Sequence, residues 1–357
     1  MPAACAALNS CQVKFVPEYP NWIREPHSVS FQSLNQLFIF IDYDNVIGNG
    51  RLFYLLRIAF SMKLATAPVN WNNADAPDFR EWVPYPKILD LMVAAGYSAT
   101  EWGMNMPSQV NPMLTDLGER QLRLLGGFVG LELRNEAKFT TEIERAIELG
   151  RFLKLLGGQV LIAADSGDQR RLAQSGRVDP TCELKSYEWR NLTSGLDQIG
   201  KQLRVEGIKL VFHNHVGSYV ETEAETARLL EETNPDYVGW CFDCGHLVYG
   251  GADVFRLLTK YGSRVGHAHV KDVNADILKE ARARRWNLAD ALKAFIFSPL
   301  GKGNLDLRRV LEQLRDQGYN DWLVVEQDTT PLDPTTVARQ NRTFLEELLN
   351  ELGSQGA

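Results

Sequence analysis

The stretch IKLVFHNHVGSY, Ile208 to Tyr219, climbs through apolar and β-branched residues to two histidines, His213 and His215, and breaks at Gly217. Such a run reads as a buried strand. Residues two apart on a strand share a face, so both imidazoles are expected on one side of the sheet at its end. A pair of this kind is either a local hydrogen-bonding arrangement or part of a metal site. The surrounding sequence has to separate the two.

Working outward, similar runs recur at Lys63–Trp71, Tyr97–Gly103, Phe128–Arg134, Gln159–Asp165, Tyr237–Asp243, Val265–Val273 and Trp322–Asp328. Between them lie stretches of helical periodicity, among them YPKILDLMVAAG, TTEIERAIELGRFLKLLGG, ETEAETARLLEET and LDLRRVLEQLRDQG, and TTVARQNRTFLEELLNEL closes the series. Several of these stretches stop at glycine (Gly96, Gly157, Gly207, Gly318), the usual C-terminal punctuation. Strands and helices alternating eight times is the count of an α/β fold, the (β/α)8 TIM barrel. An open doubly wound sheet would follow its first strand with a glycine-rich phosphate loop, whereas this chain reads APVNWNNADAP. Residues 62–357 are therefore expected to form one catalytic barrel.

Residues 1–61 do not share the pattern and are expected to be an upstream extension, poorly structured or not native, with Met62 the natural start. The segment FIFIDYDNVIGNGRLFYLLRIAFS within them is interrupted by Asp42, Asp44, Asn45, Gly48, Asn49 and Arg51. It is too broken for a membrane span and lacks the basic-then-apolar order of a signal peptide. A net charge of −7 with no long basic run argues against nucleic acid as a partner. Five cysteines at 5, 11, 182, 241 and 244 make no disulfide framework, which fits a reducing cytoplasm. Cys241 and Cys244 lie in an apolar strand-like run and are expected to be structural thiols rather than redox or zinc ligands.

In a parallel barrel the chemistry gathers at the C-terminal ends of the strands. Those ends carry Asn70 and Trp71; Glu101; Glu132 and Arg134; Asp165; His213 and His215; Asp243 and His246; His267, His269, Lys271 and Asp272; and Glu326 and Asp328. Five of the six histidines fall between 213 and 269. Singly, each such residue reads as a hydrogen-bonded structural group or a helix cap. Together, successive strands supply His, Asp, His and Glu to one point, where uncompensated polar groups are costly. A divalent cation is the natural compensation, and mixed imidazole and carboxylate donors suit Mn, Co, Zn or Fe(II).

The pieces FHNHVG, CFDCGH, HAHVKDV and LVVEQD, in that order, resemble the xylose isomerase-like barrels, and within them the myo-inosose-2 dehydratases, whose opening APxxW strand is matched by Ala67 to Trp71. The resemblance implies metal ligands at His213, Asp243, His269 and Glu326. The family often has Glu where this chain has His213, so whether His213 or His215 meets the metal stays open. His246 matches a histidine that serves relatives as a ligand or a proton-transfer group. A long seventh loop, KEARARRWNLADALKAFIFSPLGKGNLDL, is also similar, although its turn reads PLGKG and puts Lys302 where an acidic residue is usual.

By the same resemblance the expected activity is dehydration of a keto-inositol, a small polyol ketone, in inositol catabolism. The metal is expected to be Mn or Co, with Zn, Mg or Fe as alternatives. Glutathione enters by the resemblance alone. A proton must leave the carbon beside the carbonyl, and the resulting enediolate needs electrostatic support. His246 or His215 is expected to transfer the proton, Lys271 to stabilise the oxyanion, and Glu101 to act as a further acid or base. Trp71 and Trp102 are expected to stack on the ring, with Asn70 and Asp165 also contacting it. The same apparatus serves an isomerase or epimerase, and a catalytically dead barrel is a third reading that bound metal would exclude. A homo-oligomer is allowed; a membrane or nucleic-acid partner is not expected.

Overall fold

The computed structural model describes residues 62–103 and 105–355, together with a two-stranded antiparallel ladder of Val13–Val16 with Phe38–Ile41. The rest of the leader, and the expectation that residues 1–61 are an unstructured extension, lies outside the described residues.

Eight parallel strands close into a barrel: β1 (Lys63–Thr66), β2 (Ala99–Trp102), β3 (Arg123–Leu131), β4 (Val160–Asp165), β5 (Lys209–His213), β6 (Val238–Asp243), β7 (Val265–Val270) and β8 (Trp322–Val325). Each pairs with the next, and β8 closes onto β1 from Trp322 opposite Lys63 to Val325 opposite Thr66. The return helices are α1 (Tyr85–Ala94), α2 (Val110–Glu119), α3 (Phe139–Leu155), α4 (Ser186–Val205), α5 (Glu223–Glu232), α6 (Val254–Tyr261), α7 (Leu307–Asp316) and α8 (Pro334–Gln355). The TIM barrel read from the sequence is the fold of the protein. Among the described residues no helix is long and apolar enough to cross a membrane.

Side-chain alternation along the strands divides the core. On β4, Leu161 and Ala163 join the large cluster packed against the helices, while Val160 and Ile162 cluster with Val211 and Cys241 of the next two strands. Ala65, Ala67, Ala99, Leu125 and Val324 make another buried cluster, three of its five members alanines. Polar side chains collect at the strand ends beyond these layers.

Several strands end earlier than their sequence suggests. β1 stops at Thr66 because Pro68 has no N–H for the ladder and opens a short 3-10 turn, Pro68–Asn70. β3 begins at Arg123, five residues before the expected Phe128, since Gly126 and Gly127 mask its strand character in a propensity reading. β5 ends at His213, so strand alternation does not reach His215. β7 ends at Val270, and Asp272–Val273 leaves the barrel to pair antiparallel with Phe297–Ser298 of the long insertion.

That departure fixes the seventh loop. Asp272 accepts backbone N–H bonds from Val273 (2.9 Å), Gly301 (3.0 Å), Gly303 (2.9 Å) and Leu305 (3.1 Å), so one buried carboxylate organises the PLGKG turn. Lys302 is exposed on that turn. At Gly303 an added Cβ would lie 2.2 Å from Asp272 Oδ1 and 2.7 Å from Val273 O. Gly303→Ala is therefore expected to cost about 1–3 kcal/mol through overpacking against rigid groups, read as a lower thermal unfolding midpoint. An unchanged midpoint would show that the turn yields freely.

Candidate metal centre

Asp243 closes β6 with a carboxylate whose two oxygens do different work. Oδ1 caps the following short helix, Cys244–Tyr249, by accepting from His246 N at 2.8 Å. Oδ2 faces His213 Nε2 at 3.3 Å, Lys271 Nζ at 3.4 Å and His269 Nδ1 at 3.9 Å. Asn214 steadies this strand end, donating to Asp243 O (3.1 Å) and accepting from Trp240 Nε1 (2.9 Å). Glu326, just past β8, lies 3.3 Å from His269 Nδ1 and 2.8 Å from Lys271 Nζ. Donor atoms of His213, Asp243, His269 and Glu326 thus lie within 4.8 Å of one another. These four are the residues that the resemblance implied as ligands.

Two observations fit the set to a divalent cation. His269 Nδ1 is buried and, among the described residues, has no hydrogen-bond partner, although Glu326 is nearby. Its other nitrogen, Nε2, lies 3.0 Å from Glu101 Oε1, the usual outer support of a metal-binding imidazole. The charge balance agrees: the carboxylates of Glu101, Asp243, Glu326 and Asp328 are all buried, and Lys271 is the one lysine buried among them. Cys241 could join His213 and His269 as an alternative donor. Burial pushes its thiol up to about 11, however, so it stays protonated while the carboxylates ionise.

Burial disfavours charge on every group here, and the neighbours decide the outcome. For Asp243 burial is outweighed by Lys271 and the surrounding imidazoles, which hold its carboxyl well below the usual range. For Glu326 burial is likewise outweighed, by His269 and Lys271. His213 is pushed down to about 4 by burial and His246 well below its ordinary value by burial, His215 and Lys271, so both rings are neutral. His269 goes the other way: burial opposes its charge, but the carboxylates of Glu326 and Glu101 beside it raise it well above the ordinary value.

Lys271 is buried and bonded to Glu326 and Asp328, the latter at 3.0 Å, with Nζ 3.2 Å from His246 Nε2. It does not pair with Asp272, which serves the turn instead. Gly245 makes room for it, because a Cβ there would lie 2.5 Å from Lys271 Cβ. His215 stands beyond the strand with its ring centroid 5.5 Å from that of His213 and 4.1 Å from that of His246. Cys244 accepts a bond from Lys271 N at 3.4 Å and lies 3.1 Å from Lys271 O, a structural position.

Other expected site residues are placed elsewhere. Trp71 is buried in the core with its N–H on Thr335, and Trp102 packs on Phe152 of α3 and donates to Pro107 O. Both indole N–H groups are engaged in these bonds. Asn70 spans the β1–β8 seam, donating to Thr66 Oγ1 and accepting from Gln327 N. Asp165 is engaged by Arg134 at 2.5 Å and by the backbone N–H groups of Gly167 and Tyr219. Glu101 stands behind His269 and also binds His267 Nε2 at 2.6 Å, so it supports a ring rather than facing the open mouth.

Three contributors went unassigned in the sequence. Phe128 lies edge-on to His213, 5.9 Å between centroids, and remains 40% exposed, an apolar wall open to the mouth. Asp75, on the loop after β1, reaches to 3.5 Å from His215 Nε2. Asp328 was visible as a strand-end acid but had no role until Lys271 was placed beside it. The displaced start of β3 hid Phe128; nothing local in the sequence marks Asp75.

The family model described as "Xylose isomerase-like TIM barrel" matches residues 84–348. Inosose dehydratase of Lacticaseibacillus casei is 30% identical over 293 residues, covering 81% of this chain and 98% of that protein. Inosose dehydratase of Clostridium beijerinckii is 30% identical over 293 residues, 80% of this chain and 97% of that protein. Among solved structures, an L-ribulose 3-epimerase superposes with a TM-score of 0.61 at 16% identity, covering 82% of this chain and 96% of that one. A probable 3-DHS dehydratase of Bacillus anthracis superposes at 0.59 and 15% identity, covering 80% and 99%. At such identities these structures speak to the fold alone.

Because its neighbours raise His269 well above its ordinary value while Asp243 and Glu326 are held low and His213 is pushed down, filling the site near neutral pH is expected to release about one proton. The release should fade as pH rises through the raised His269 value. Calorimetric titration with Mn2+ in buffers of different ionisation enthalpy reads this number; no release at neutral pH would contradict the assigned charge states.

Proposed function

The chain belongs to the xylose isomerase-like TIM barrel family, and from that premise we propose that it is a cytoplasmic, divalent-metal-dependent hydro-lyase acting on a keto-inositol, converting 2-keto-myo-inositol to a trihydroxycyclohexane dione and water. The carrying observation is the convergence of His213, Asp243, His269 and Glu326 around one point with Lys271 ion-paired to two of them. Similarity to inosose dehydratases across four-fifths of the chain supports the substrate class.

His213, Asp243, His269 and Glu326 would hold the cation, Mn2+ or Co2+ suiting their mixed donors. When bound, it supplies Lewis acidity to a ketone and an adjacent hydroxyl. The protein's own groups do the rest. Lys271, buried and fixed by Glu326 and Asp328, offers a permanent positive charge where an enediolate oxygen develops, in surroundings that screen it little. His246, 3.2 Å from Lys271, or His215, whose ring lies against that of His246, is placed for proton transfer. Phe128 offers an apolar surface to the C–H face of a ring, the part that the tryptophans do not fill. Glu101 and His267 hold His269 from behind.

Protein loaded with Mn2+ or Co2+ is expected to convert scyllo-inosose to an unsaturated or diketone product, followed by ultraviolet absorbance, with chelation stopping the reaction. Lys271→Met should lower kcat by about 10²–10³-fold while keeping the metal, since it removes a competing cation. Turnover of a ketohexose or of an inosose isomer, with no product from inosose, would replace the dehydratase by an isomerase or epimerase. Failure to bind Mn2+ or Co2+ would favour a non-catalytic barrel.

A further inference from the structure

The residue between the two stacked imidazoles carries more information than either ring. Val216 O lies 2.8 Å from His215 Nδ1. A carbonyl oxygen accepts and never donates, so His215 Nδ1 must carry a proton. Val216 N–H donates to His246 Nδ1 at 3.2 Å. A backbone amide donates and never accepts, so His246 Nδ1 must present a lone pair. A neutral imidazole has one N–H, so in its neutral form His215 has a bare Nε2, and neutral His246 has a protonated Nε2. The rings, 4.1 Å apart by centroid and tilted by 34°, are thereby chemically opposite.

We propose that Val216 sets opposite tautomers in the two rings, making His215 Nε2 the base of the reaction and His246 Nε2–H a hydrogen-bond donor to the substrate oxygen. This inference rests on the dehydratase reading for its substrate, and on the hydrogen bonds alone for its division of roles. The neighbours agree. Asp75 Oδ2 stands 3.5 Å from His215 Nε2, near enough to favour positive charge on the ring and too far to commit that nitrogen to a strong bond. On the other side, Lys271 Nζ and His246 Nε2 are 3.2 Å apart and, in this tautomer, both are donors. Two donors cannot satisfy one another, so together they form a cradle for an oxygen that gathers negative charge.

The chemistry balances on one base. His215 Nε2 takes the proton from the carbon beside the carbonyl. The C–H electron pair becomes the C=C bond of the enediolate, whose oxygen is met by Lys271 and His246. When the carbonyl re-forms, the electrons expel the hydroxyl from the next carbon. That oxygen takes the C–O pair and receives the same proton from His215, leaving as water. No external proton, electron or oxidant is needed, and His215 returns to its starting state. His246 keeps its proton throughout, as a neutral imidazole is too weak an acid to surrender it.

Long-range proton–nitrogen correlation spectra of protein carrying nitrogen-15 histidine, recorded with diamagnetic Zn2+ bound in mildly alkaline buffer, read the tautomers directly. His215→Asn and His246→Asn assign the signals. The expected pattern is a protonated Nδ1 on His215 and a protonated Nε2 on His246; the same tautomer in both rings overturns the proposal. Exchange of the carbon-bound hydrogen of scyllo-inosose with solvent deuterium then tests the roles. His215→Asn should slow it by about 10²-fold or more, with His246→Asn retaining exchange at least about tenfold faster than His215→Asn. Mn2+ affinity, measured on both variants, is expected to stay within a few-fold of the parent. The reverse order of exchange rates overturns the assignment of the base. Wild-type protein that exchanges hydrogen without losing water overturns the dehydratase reading and leaves this one standing; wild-type protein that exchanges none overturns both.

Discussion

Everything at the mouth of this barrel answers to an excess of buried negative charge. Glu101, Asp243, Glu326 and Asp328 are removed from water, and the cost of burying ionised carboxylates is large unless positive charge is supplied. Lys271 supplies part of it, which explains why a lysine is wholly buried and why Gly245 must lack a side chain where Lys271 passes. His269 takes up a proton for the same reason. A divalent cation would satisfy the remainder better than either, because it would bind the lone pairs of His213 and His269 as well as neutralise the acids. The network is costly for folding unless it is complete. Residues arranged this way are a site, since the same positions filled by apolar side chains would stabilise the barrel with less risk.

The fold was legible because a parallel barrel repeats one unit, so a single misplaced boundary does not obscure the count. The candidate ligand set was legible for a related reason. Metal binding admits few residue types, the fold confines them to strand ends, and His213, Asp243, His269 and Glu326 each lie at or next to the end of a different strand. What stayed hidden depends on pairs distant in sequence. Glu101 meets His267 and His269 across more than 160 positions, and no local pattern distinguishes a carboxylate that faces substrate from one that braces a ligand. Trp71 and Trp102 looked equally suited to stacking. Trp71 turns away because the chain leaves β1 at Thr66 for a 3-10 turn, and Trp102 packs outward on Phe152 at the edge of a short strand. Phe128, on a strand whose glycines disguised its start, takes the open wall instead.

The division between strands and loops also separates two kinds of precision. Metal ligands need distances, and strand ends held by ladders on both sides provide them. A tautomer needs a hydrogen bond of fixed direction, and the segment 214–220 is built to give one. His215 N donates to Val220 O at 3.1 Å and Ser218 N to His215 O at 3.2 Å, so the segment folds on itself. Glu221 accepts from Gly217 N at 2.6 Å, and Asp165 accepts from Tyr219 N at 3.2 Å. Asp165 thus anchors the loop that carries Val216. Removing its anchor would loosen the peptide that orients His215 and His246, while leaving the four ligand side chains where the strands put them. The barrel fixes the charge, and the loop fixes the protons; the two can fail separately because different bonds hold them.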